Sequence, residues 1–468
     1  MTDSQSPAHD VIVIGGGPAG YVCAIRLAQL GKRVVLIERD RPGGVCLNWG
    51  CIPVKALLHA AQTVRDAAEG RRMGLLFQPP EVDLVALYGW KQRIVDRLVR
   101  GIEFLFKSNG VEQVRGEARL AGPGTVTVVT AEGERELTAE TVIIATGSAP
   151  ARPEALAPDG RAVIDSDGAL KLVELPKRLA VIGAGVIGLE FATMFRRLGS
   201  AVTVLELESQ VLPGTDPELA GIVEKLMRRE GIGIELGVRV GGIERGPAVR
   251  VSYARGEEAA TAEADRVLVA VGRVPRTRDL GLDAAGVTTD RRGFIITDKD
   301  YRTVVPGIYA IGDCRPGPML AHRASAEGIA LADLLAGESR RRFRAIPDCV
   351  YTDPEIATVG LSEPAAQAAG RKVKVSRVPL TAVGRSLTLN RGDGLCKLVV
   401  DEKTDKVLGA GIVAPQADCL IAEAAVAVEL GLKAADIGRV VHPHPTMSEL
   451  LLEAAEAIHG RAVHVVNR

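Results

Sequence analysis

Short, fully apolar runs that end in glycine-rich turns are the first pattern along the chain. Three spaced glycines follow the first run, Val11–Ile14: Gly15, Gly17 and Gly20. Beyond them the pattern predicts a helix to about Leu30 and a second strand over Val34–Ile37, which closes on Glu38. A short apolar run bounded by turn residues is typical of a strand buried in a parallel sheet. The segment is therefore predicted to fold as strand, turn, helix and strand.

The same arrangement returns 168 residues later. Its glycines are Gly183, Gly185 and Gly188, and its second strand, Val202–Leu205, closes on Glu206. Glycines in such a turn let the backbone approach a pyrophosphate, the helix N-terminus supplies free N–H groups, and the carboxylate accepts hydrogen bonds from a ribose. One glycine motif is a weak signal, but two complete units predict that the protein binds two dinucleotides.

The acidic residue of the second unit bears on the choice of nicotinamide cofactor. A carboxylate at Glu206 accepts from a ribose 2′-hydroxyl and repels a 2′-phosphate, whereas an NADP site needs arginines. Arg196 and Arg197 lie within the preceding helix and are predicted to form its solvated face. The second unit is therefore predicted to bind NAD.

Three further apolar strands indicate how the two units are connected. Thr141–Pro150 is predicted to leave the first unit, Val267–Thr277 to return from the second, and Gly307–Cys314 to add a strand with an aspartate at its carboxyl end. From about Arg344 the pattern changes to a β-hairpin and amphipathic helices. The predicted fold class is α/β, with two Rossmann-like dinucleotide-binding domains, one inserted in the other, and a C-terminal α+β domain. The predicted boundaries are 1–150 and 273–343 for the first domain, 151–272 for the inserted domain and 344–468 for the C-terminal domain.

Composition narrows the class of partners. The chain has 468 residues, with 58 Lys and Arg and 58 Asp and Glu, so its net charge is zero. This balance argues against nucleic acid or an anionic membrane as a general partner. The N-terminus lacks a signal pattern and no apolar run reaches membrane length. We expect a cytoplasmic protein.

Two of the seven cysteines stand apart from the others. Cys46 and Cys51 are five positions apart, among glycines. In a reducing compartment such a pair indicates metal binding or redox catalysis, and no further paired cysteine or histidine cluster nearby completes a zinc site. Redox chemistry is therefore favoured and no metal is expected. The other five cysteines are predicted to be small buried apolar residues: Cys23, Cys314, Cys349, Cys396 and Cys419.

The chain resembles the pyridine nucleotide–disulfide oxidoreductases over nearly its whole length, and within them the dihydrolipoamide dehydrogenases. The motifs that carry the resemblance follow the family's order: "GGGPAG", "CLNWGCIPVKALL", "ATGS", "GAGVIGLE", "VGRVPRT", "IYAIGDC", "MLAHRA", "YTDPEIATVGL" and "HPHPTMSE". The resemblance implies FAD on the first glycine unit, NAD on the second, and a C-terminal domain that forms a homodimer. It also implies an enzyme that reoxidises protein-bound dihydrolipoamide.

The resemblance implies roles for the cysteine motif. Cys46 and Cys51 would form a disulfide beside the flavin, with Cys51 nearer the ring and Cys46 exchanging with substrate. The intervening turn leads into a helix, whose N-terminus lowers a thiol pKa and favours the thiolate. Lys55 would lie near the flavin and pair with Glu190.

The resemblance also implies the catalytic base. Attack by a dithiol needs a group that takes a proton near pH 7, which suits histidine. His444 would be this base and Glu449 its orienting carboxylate, acting across the dimer interface on the partner's cysteines. His442 lacks that spacing and is predicted to be structural.

The remaining predicted site residues bind the two cofactors. For FAD they are Gly15, Gly17, Pro18, Ala19, Gly20, Glu38, Arg39, Gly44, Val45, Cys46, Lys55, Ala118, Thr146, Gly147, Ser148, Gly312, Asp313, Met319, Leu320, Ala321 and His322. For NAD they are Gly183, Gly185, Val186, Ile187, Gly188, Glu190, Glu206, Val240 and Gly272.

Several alternatives share these motifs. A glutathione reductase normally uses NADPH, which Glu206 opposes. A mercuric reductase would need a C-terminal cysteine pair, and none follows Cys419. A soluble transhydrogenase resembles this fold without an intact redox cysteine pair, whereas Cys46 and Cys51 are both present here. A docking subunit of a multienzyme assembly is compatible with catalysis. The identity of the lipoyl carrier stays open. The candidates are a 2-oxo acid dehydrogenase acyltransferase, a glycine-cleavage carrier and another lipoate-binding protein.

Overall fold

The first domain is built on one mixed sheet. The computed structural model describes residues 9–78, 80–246, 248–339 and 341–467. In chain order the elements up to the first exit are β1 (His9–Ile14), α1 (Pro18–Gln29), β2 (Val34–Glu38), α2 (Gly44–Trp49), α3 (Cys51–Glu69), α4 (Leu84–Asn109), β3 (Glu112–Arg115), β4 (Glu117–Gly122), β5 (Thr125–Thr130), β6 (Gly133–Ile144) and β7 (Ser148–Pro150). Strands β3, β2, β1 and β6 lie side by side in parallel, with Ile14 opposite both Ile37 and Ile144. The predicted strand–turn–helix–strand unit is therefore present, and its strand ends meet at one edge.

The inserted domain repeats this plan. Its elements are β8 (Val163–Ile164), α5 (Ser166–Ala169), β9 (Arg178–Ile182), α6 (Val186–Leu198), β10 (Ala201–Leu205), α7 (Pro217–Arg229), β11 (Gly233–Glu235), β12 (Arg239–Glu244), β13 (Val249–Arg255), β14 (Glu258–Ala264) and β15 (Arg266–Val269). Five of these strands form a parallel sheet in the order β11, β10, β9, β15 and β8, and β12 to β14 form an antiparallel sheet.

The chain then returns to the first sheet. It does so through β16 (Arg273–Pro275), α8 (Leu282–Ala285), β17 (Ile308–Ala310) and α9 (Ala321–Leu335). The exit strand β7 and the return strand β16 pair antiparallel, so the two connections run together. Strand β17 joins the first sheet beside β6. The predicted insertion of one dinucleotide domain in the other is confirmed, while the domain boundaries stay predictions.

The C-terminal domain is α+β. Its elements are β18 (Asp348–Val350), β19 (Glu355–Gly360), α10 (Glu363–Ala368), β20 (Val373–Pro379), α11 (Gly384–Thr388), β21 (Leu395–Asp401), β22 (Val407–Ala414), α12 (Ala417–Leu430), α13 (Ala434–Gly438) and α14 (Glu449–Ala457). The predicted hairpin is β21–β22, at the centre of a five-stranded antiparallel sheet. Helices α12 and α14 bury apolar side chains against this sheet. No helix of the described residues has the length and apolar character that crossing a membrane requires.

Candidate functional site

The two glycine turns have the same geometry. A Cβ at Gly20 would lie 1.8 Å from the carbonyl oxygen of Gly15, and one at Gly188 would lie 1.9 Å from that of Gly183. The third glycine of each motif therefore lets the helix pack against its own turn. Gly20 and Gly188, both predicted to bind cofactor, do not line the cleft. They lie behind the cleft lining, where each helix packs against its own glycine turn.

The acidic residue at the end of each second strand is also held in the same way. Glu38 accepts the backbone N–H of Gly16 at 2.8 Å, and Glu206 accepts that of Ala184 at 2.5 Å. Each carboxylate accepts a second N–H two residues ahead, from Asp40 at 3.0 Å and from Glu208 at 2.9 Å. The carboxylates are thus fixed beside the glycine turns, where a bound ribose would lie.

One continuous cleft of about 2270 Å³ joins the two glycine turns. It is lined by every predicted FAD residue except Gly20 and every predicted NAD residue except Gly188. Helices α1 and α6 begin on this cleft, and no side chain caps their first N–H groups. These groups are free to bind phosphate oxygens, so the residues present fit two dinucleotides.

The two cysteines lie on the cleft at a helix junction. Cys46 is in α2 and Cys51 is the first residue of α3. The first residue of α2 lies against the first glycine turn, since a Cβ at Gly44 (φ +57°) would lie 2.6 Å from Cα of Gly17. Only glycine allows this approach without displacing backbone.

Neither cysteine is in a disulfide in the structure, and each thiol shifts the pKa of the other. The hydrogen bond from Cys46 and the charge of Lys55 lower the pKa of Cys51 to about 7, against burial. The hydrogen bond that Cys46 donates to Cys51, together with burial, raises the pKa of Cys46. The first proton therefore leaves Cys51, which stays a thiolate near neutral pH.

The predicted pair of Lys55 and Glu190 is present. Lys55 Nζ lies 2.8 Å from both carboxylate oxygens of Glu190 and 4.4 Å from the ring centroid of Tyr351. The backbone N–H of Tyr351 donates to Glu190 at 3.1 Å. Tyr351, which sequence reasoning missed, immediately precedes "TDPE". Elements of all three domains therefore meet beside the cysteines.

The predicted histidine and glutamate lie elsewhere. His444 Nδ1 is 2.8 Å from Oε1 of Glu449, whose Oε2 accepts the backbone N–H of Thr446 at 2.8 Å. The imidazole is 77% exposed and does not line the cleft of its own chain. Within one chain the cysteines and this imidazole are therefore not brought together.

Comparisons with known proteins define the family. A family model described as "Pyridine nucleotide-disulphide oxidoreductase" matches residues 9–328, and its "dimerisation domain" matches residues 346–455. The chain belongs to the pyridine nucleotide–disulphide oxidoreductases. This membership confirms the predicted cofactors, FAD and NAD, and the dimerisation domain agrees with the predicted homodimer.

Two relatives and one solved structure illustrate the similarity to known proteins. The chain is 47% identical to "Dihydrolipoyl dehydrogenase" of Thermus scotoductus over 98% of its length and 99% of that protein. It is 43% identical to "Dihydrolipoyl dehydrogenase 3" of Pseudomonas aeruginosa over 97% of its length and 99% of that protein. It also resembles the structure of the HOCl-induced flavoprotein disulfide reductase RclA of Escherichia coli in complex with Cu(II), with a TM-score of 0.85, 31% identity and coverage of 96% and 99%.

Arg273 is another cleft residue that the sequence analysis did not predict. The Arg273 guanidinium donates to the Ser148 hydroxyl at 2.8 Å and to the Ser148 carbonyl at 3.0 Å, and the Ser148 hydroxyl donates to Asp313 at 2.7 Å. Burial lowers the pKa of Arg273. Arg273 begins β16, so it ties the return strand to two predicted FAD residues. Its place directly after Gly272 was the available signal.

Two other histidines with predicted roles make the following contacts, and their roles stay predictions. His442 bonds Glu423 at 3.1 Å and the carbonyl of Val440 at 2.9 Å, as a structural histidine does. His322 lines the cleft, with Nε2 2.6 Å from the carbonyl of Pro347. Among the described residues, no group of three potential ligands is arranged to hold a metal ion.

Three expectations about individual side chains are wrong. Cys419 is exposed and Cys349 is half-buried on the cleft, whereas both were expected in the core. Arg197 is not solvated: its side chain is 5% exposed and pairs with Glu230 and Asp353, both at 2.8 Å. Neither Arg196 nor Arg197 lines the cleft, so the argument for NAD is unchanged.

Proposed function

We propose that this chain is a dihydrolipoyl dehydrogenase, which oxidises a protein-bound dihydrolipoyl group and passes the electrons through Cys46, Cys51 and FAD to NAD. The observation that carries the proposal is that Cys46 and Cys51, at the junction of α2 and α3, both lie on the cleft that the two dinucleotide units line. Relatives of that name, 43% and 47% identical over nearly the full chain, support it.

The dithiol reacts by exchange. In the oxidised protein Cys46 and Cys51 form a disulfide, and a substrate thiolate attacks Sγ of Cys46. A mixed disulfide forms and Cys51 leaves as a thiolate, for which its pKa of about 7 is suited. The second substrate thiol then displaces Cys46 and closes the lipoyl disulfide. The substrate loses two electrons and the cysteine pair gains them.

A base must take the protons of the substrate thiols. His444 of the partner subunit would do this, because the imidazole is largely exposed and is absent from the cleft of its own chain. Glu449 binds Nδ1, which leaves Nε2 to accept the proton. Such a site is complete only in the dimer.

The cleft would then hold the electron acceptors. When bound, FAD takes up the two electrons and NAD accepts a hydride. The first glycine turn and Glu38 would hold FAD, and the second turn and Glu206 would hold NAD. Lys55 would place a positive charge between them and beside Cys51.

The substrate would be a lipoyl group carried by another protein. A 2-oxo acid dehydrogenase acyltransferase, a glycine-cleavage carrier and another lipoate-binding protein are the candidate carriers. A docking role in such an assembly is compatible with catalysis. The cytoplasmic location stays a prediction.

Steady-state kinetics of the holoenzyme test this function. We expect NAD-linked oxidation of free dihydrolipoamide and of purified reduced lipoyl domains, with little activity with NADP. Cys46→Ser must abolish this turnover and leave the bound FAD content unchanged, since it removes only the exchange sulfur. Turnover that persists in Cys46→Ser would refute the assigned exchange thiol.

A disulfide reductase with another substrate is the second candidate, favoured by the likeness to RclA. Such a reductase would use a reduced nicotinamide cofactor to reduce a disulfide, whereas a dihydrolipoyl dehydrogenase oxidises a dithiol. The same assays, run with NADPH and oxidised glutathione, separate the two. Strong glutathione reduction without dihydrolipoamide turnover would replace the proposed function.

A further inference from the structure

Resting on the proposed function, we propose that His464 and Glu453 form a second imidazole–carboxylate pair that sets the pH range over which His444 acts as a base. His464 would not touch the substrate. It is a positioning residue that acts on the base electrostatically, through Glu449.

The second pair repeats the construction of the first. Glu449 and Glu453 lie four residues apart on α14, so they are neighbours on one face of the helix. His464 Nδ1 lies 2.7 Å from Oε1 of Glu453, as His444 Nδ1 lies 2.8 Å from Oε1 of Glu449.

Backbone donors complete both pairs. Oε2 of Glu453 accepts the N–H groups of Val463 and His464 at 3.1 and 3.2 Å, and Oε2 of Glu449 accepts that of Thr446. In each pair the carboxylate is thus held by a helix and a loop together.

Both pairs have a largely buried carboxylate and an exposed imidazole ring. The Glu449 and Glu453 side chains are 17% and 9% exposed, whereas the His444 and His464 rings are 77% and 62% exposed. Among the described contacts, Nε2 of neither ring has a hydrogen-bond partner. Within one chain, each pair therefore has a fixed carboxylate inside and an outward-facing ring whose Nε2 makes no described hydrogen bond.

The charges of the two pairs are coupled. The hydrogen bond and charge of Glu453 raise the pKa of His464, and Glu449 adds to this rise. Against burial, hydrogen bonds from His444 and Thr446 and the charge of His464 keep the pKa of Glu449 low. Among the described residues of this C-terminal segment, Arg461 pairs with Glu456 at 2.9 Å and His459 with Asp405 at 3.3 Å. Below the pKa of His464 the second pair is neutral overall, and above it the pair carries one negative charge.

The proposal gives opposite signs for two variants. His464→Gln leaves Glu453 uncompensated, which favours the protonated base, so the acid limb of the pH–rate profile moves to higher pH. Glu453→Gln leaves the cation of His464 uncompensated at acid pH, so the limb moves to lower pH. A unit charge about 10 Å away in a water-like dielectric displaces a titration by about 0.3 pH unit. Added salt must reduce both shifts.

The test is a pH titration of the holoenzyme labelled with ¹³C-histidine, whose chain has seven histidines. The His444 signal, assigned with His444→Gln, must titrate at higher pH in His464→Gln and at lower pH in Glu453→Gln. His464→Lys keeps the positive charge and must restore the wild-type midpoint. His9→Gln removes a His–Glu pair of the same length at the start of β1 and must change nothing.

A purely structural pair would lower the melting temperature in both Gln variants without moving the His444 titration, which would overturn the proposal. Equal shifts of the same sign would also overturn it. If one Gln variant does not fold, the other still decides: an unmoved His444 midpoint refutes the proposal, and a shift of the sign stated for that variant supports it. Absence of dihydrolipoamide turnover in the wild type would refute the proposed function alone, because the titration needs no substrate.

Discussion

Lys55 Nζ lies 2.8 Å from both carboxylate oxygens of Glu190, so one ion pair joins the cysteine-bearing helix α3 to helix α6 of the inserted domain. Glu190 is only 4% exposed, and its other hydrogen bond comes from the backbone of Tyr351 in the C-terminal domain. The charge that lowers the pKa of Cys51 is therefore fixed by contacts from three domains.

Lys55→Met should destabilise the protein and weaken the thiolate. It leaves the buried Glu190 carboxylate without its cation, which costs roughly 3 kcal/mol. We expect a melting temperature several degrees lower by calorimetry. Lys403→Met, at an exposed position of the β21–β22 hairpin, serves as the control and should melt as the wild type. Equal melting temperatures for the two variants would show that the ion pair contributes no stability.

The reactivity of Cys51 should depend on pH with a midpoint near 7. Its pKa is lowered first by the hydrogen bond from Cys46, so about half of the reduced protein carries the Cys51 thiolate at pH 7, against a few per cent for an ordinary thiol. Alkylation by iodoacetamide, followed by peptide mass spectrometry, measures this midpoint. Reactivity is lost as the pH falls below 7. Cys46→Ala removes the hydrogen bond and should move the midpoint upward; a lower midpoint would contradict the assigned donor.

Gly185 and Gly188 should respond to alanine in different ways. A Cβ at Gly188 would lie 1.9 Å from a carbonyl oxygen, so Gly188→Ala should cost at least about 3 kcal/mol or prevent folding. A Cβ at Gly185 meets no atom within 4 Å, but Gly185 lines the cleft. Gly185→Ala should keep its stability within about 0.5 kcal/mol and lose about tenfold or more in NAD affinity. Melting curves and NAD titrations check both, and an unchanged NAD affinity in Gly185→Ala would place the dinucleotide elsewhere.

Glu206→Gln should weaken the preference for NAD. The amide keeps one acceptor, but the negative charge that repels a 2′-phosphate is gone. We expect kcat/KM for NAD to fall about tenfold, which corresponds to about 1.4 kcal/mol, and the ratio of NAD to NADP activity to fall with it. Glu38→Gln, the equivalent change in the first unit, is the control: it should weaken retention of FAD and leave the nicotinamide preference unchanged. Loss of NAD preference in both variants would argue against separate roles for the two units.

Local sequence patterns predicted those parts of the site whose residues lie close together along the chain. The glycine turns, the strand ends at Glu38 and Glu206, and the helix that begins at Cys51 each depend on a few consecutive residues, because propensity and periodicity act over that range. The pairing of Lys55 with Glu190, 135 residues apart, came from the family resemblance and not from spacing.

The wrong expectations all concern which neighbour a side chain meets. Arg197 was assigned to solvent from its position on a helix, but the chain after α7 and the loop before β19 bring Glu230 and Asp353 to it. Cys349 and Cys419 each stand between an aspartate and an apolar residue, and one lies on the cleft and the other on the surface. Burial depends on which face of an element another element covers, and periodicity does not supply that element.

The sequence by itself determined two dinucleotide units, a redox-active cysteine pair and the order of the domains, because turns, apolar runs and helix starts are local. Only the tertiary structure decided that Arg273 joins the return strand to Ser148 and Asp313, that Tyr351 reaches Lys55, and that Glu453 repeats the contacts of Glu449. These relationships depend on how separate segments pack. Packing brings distant parts of the chain within hydrogen-bond reach, which no local pattern specifies.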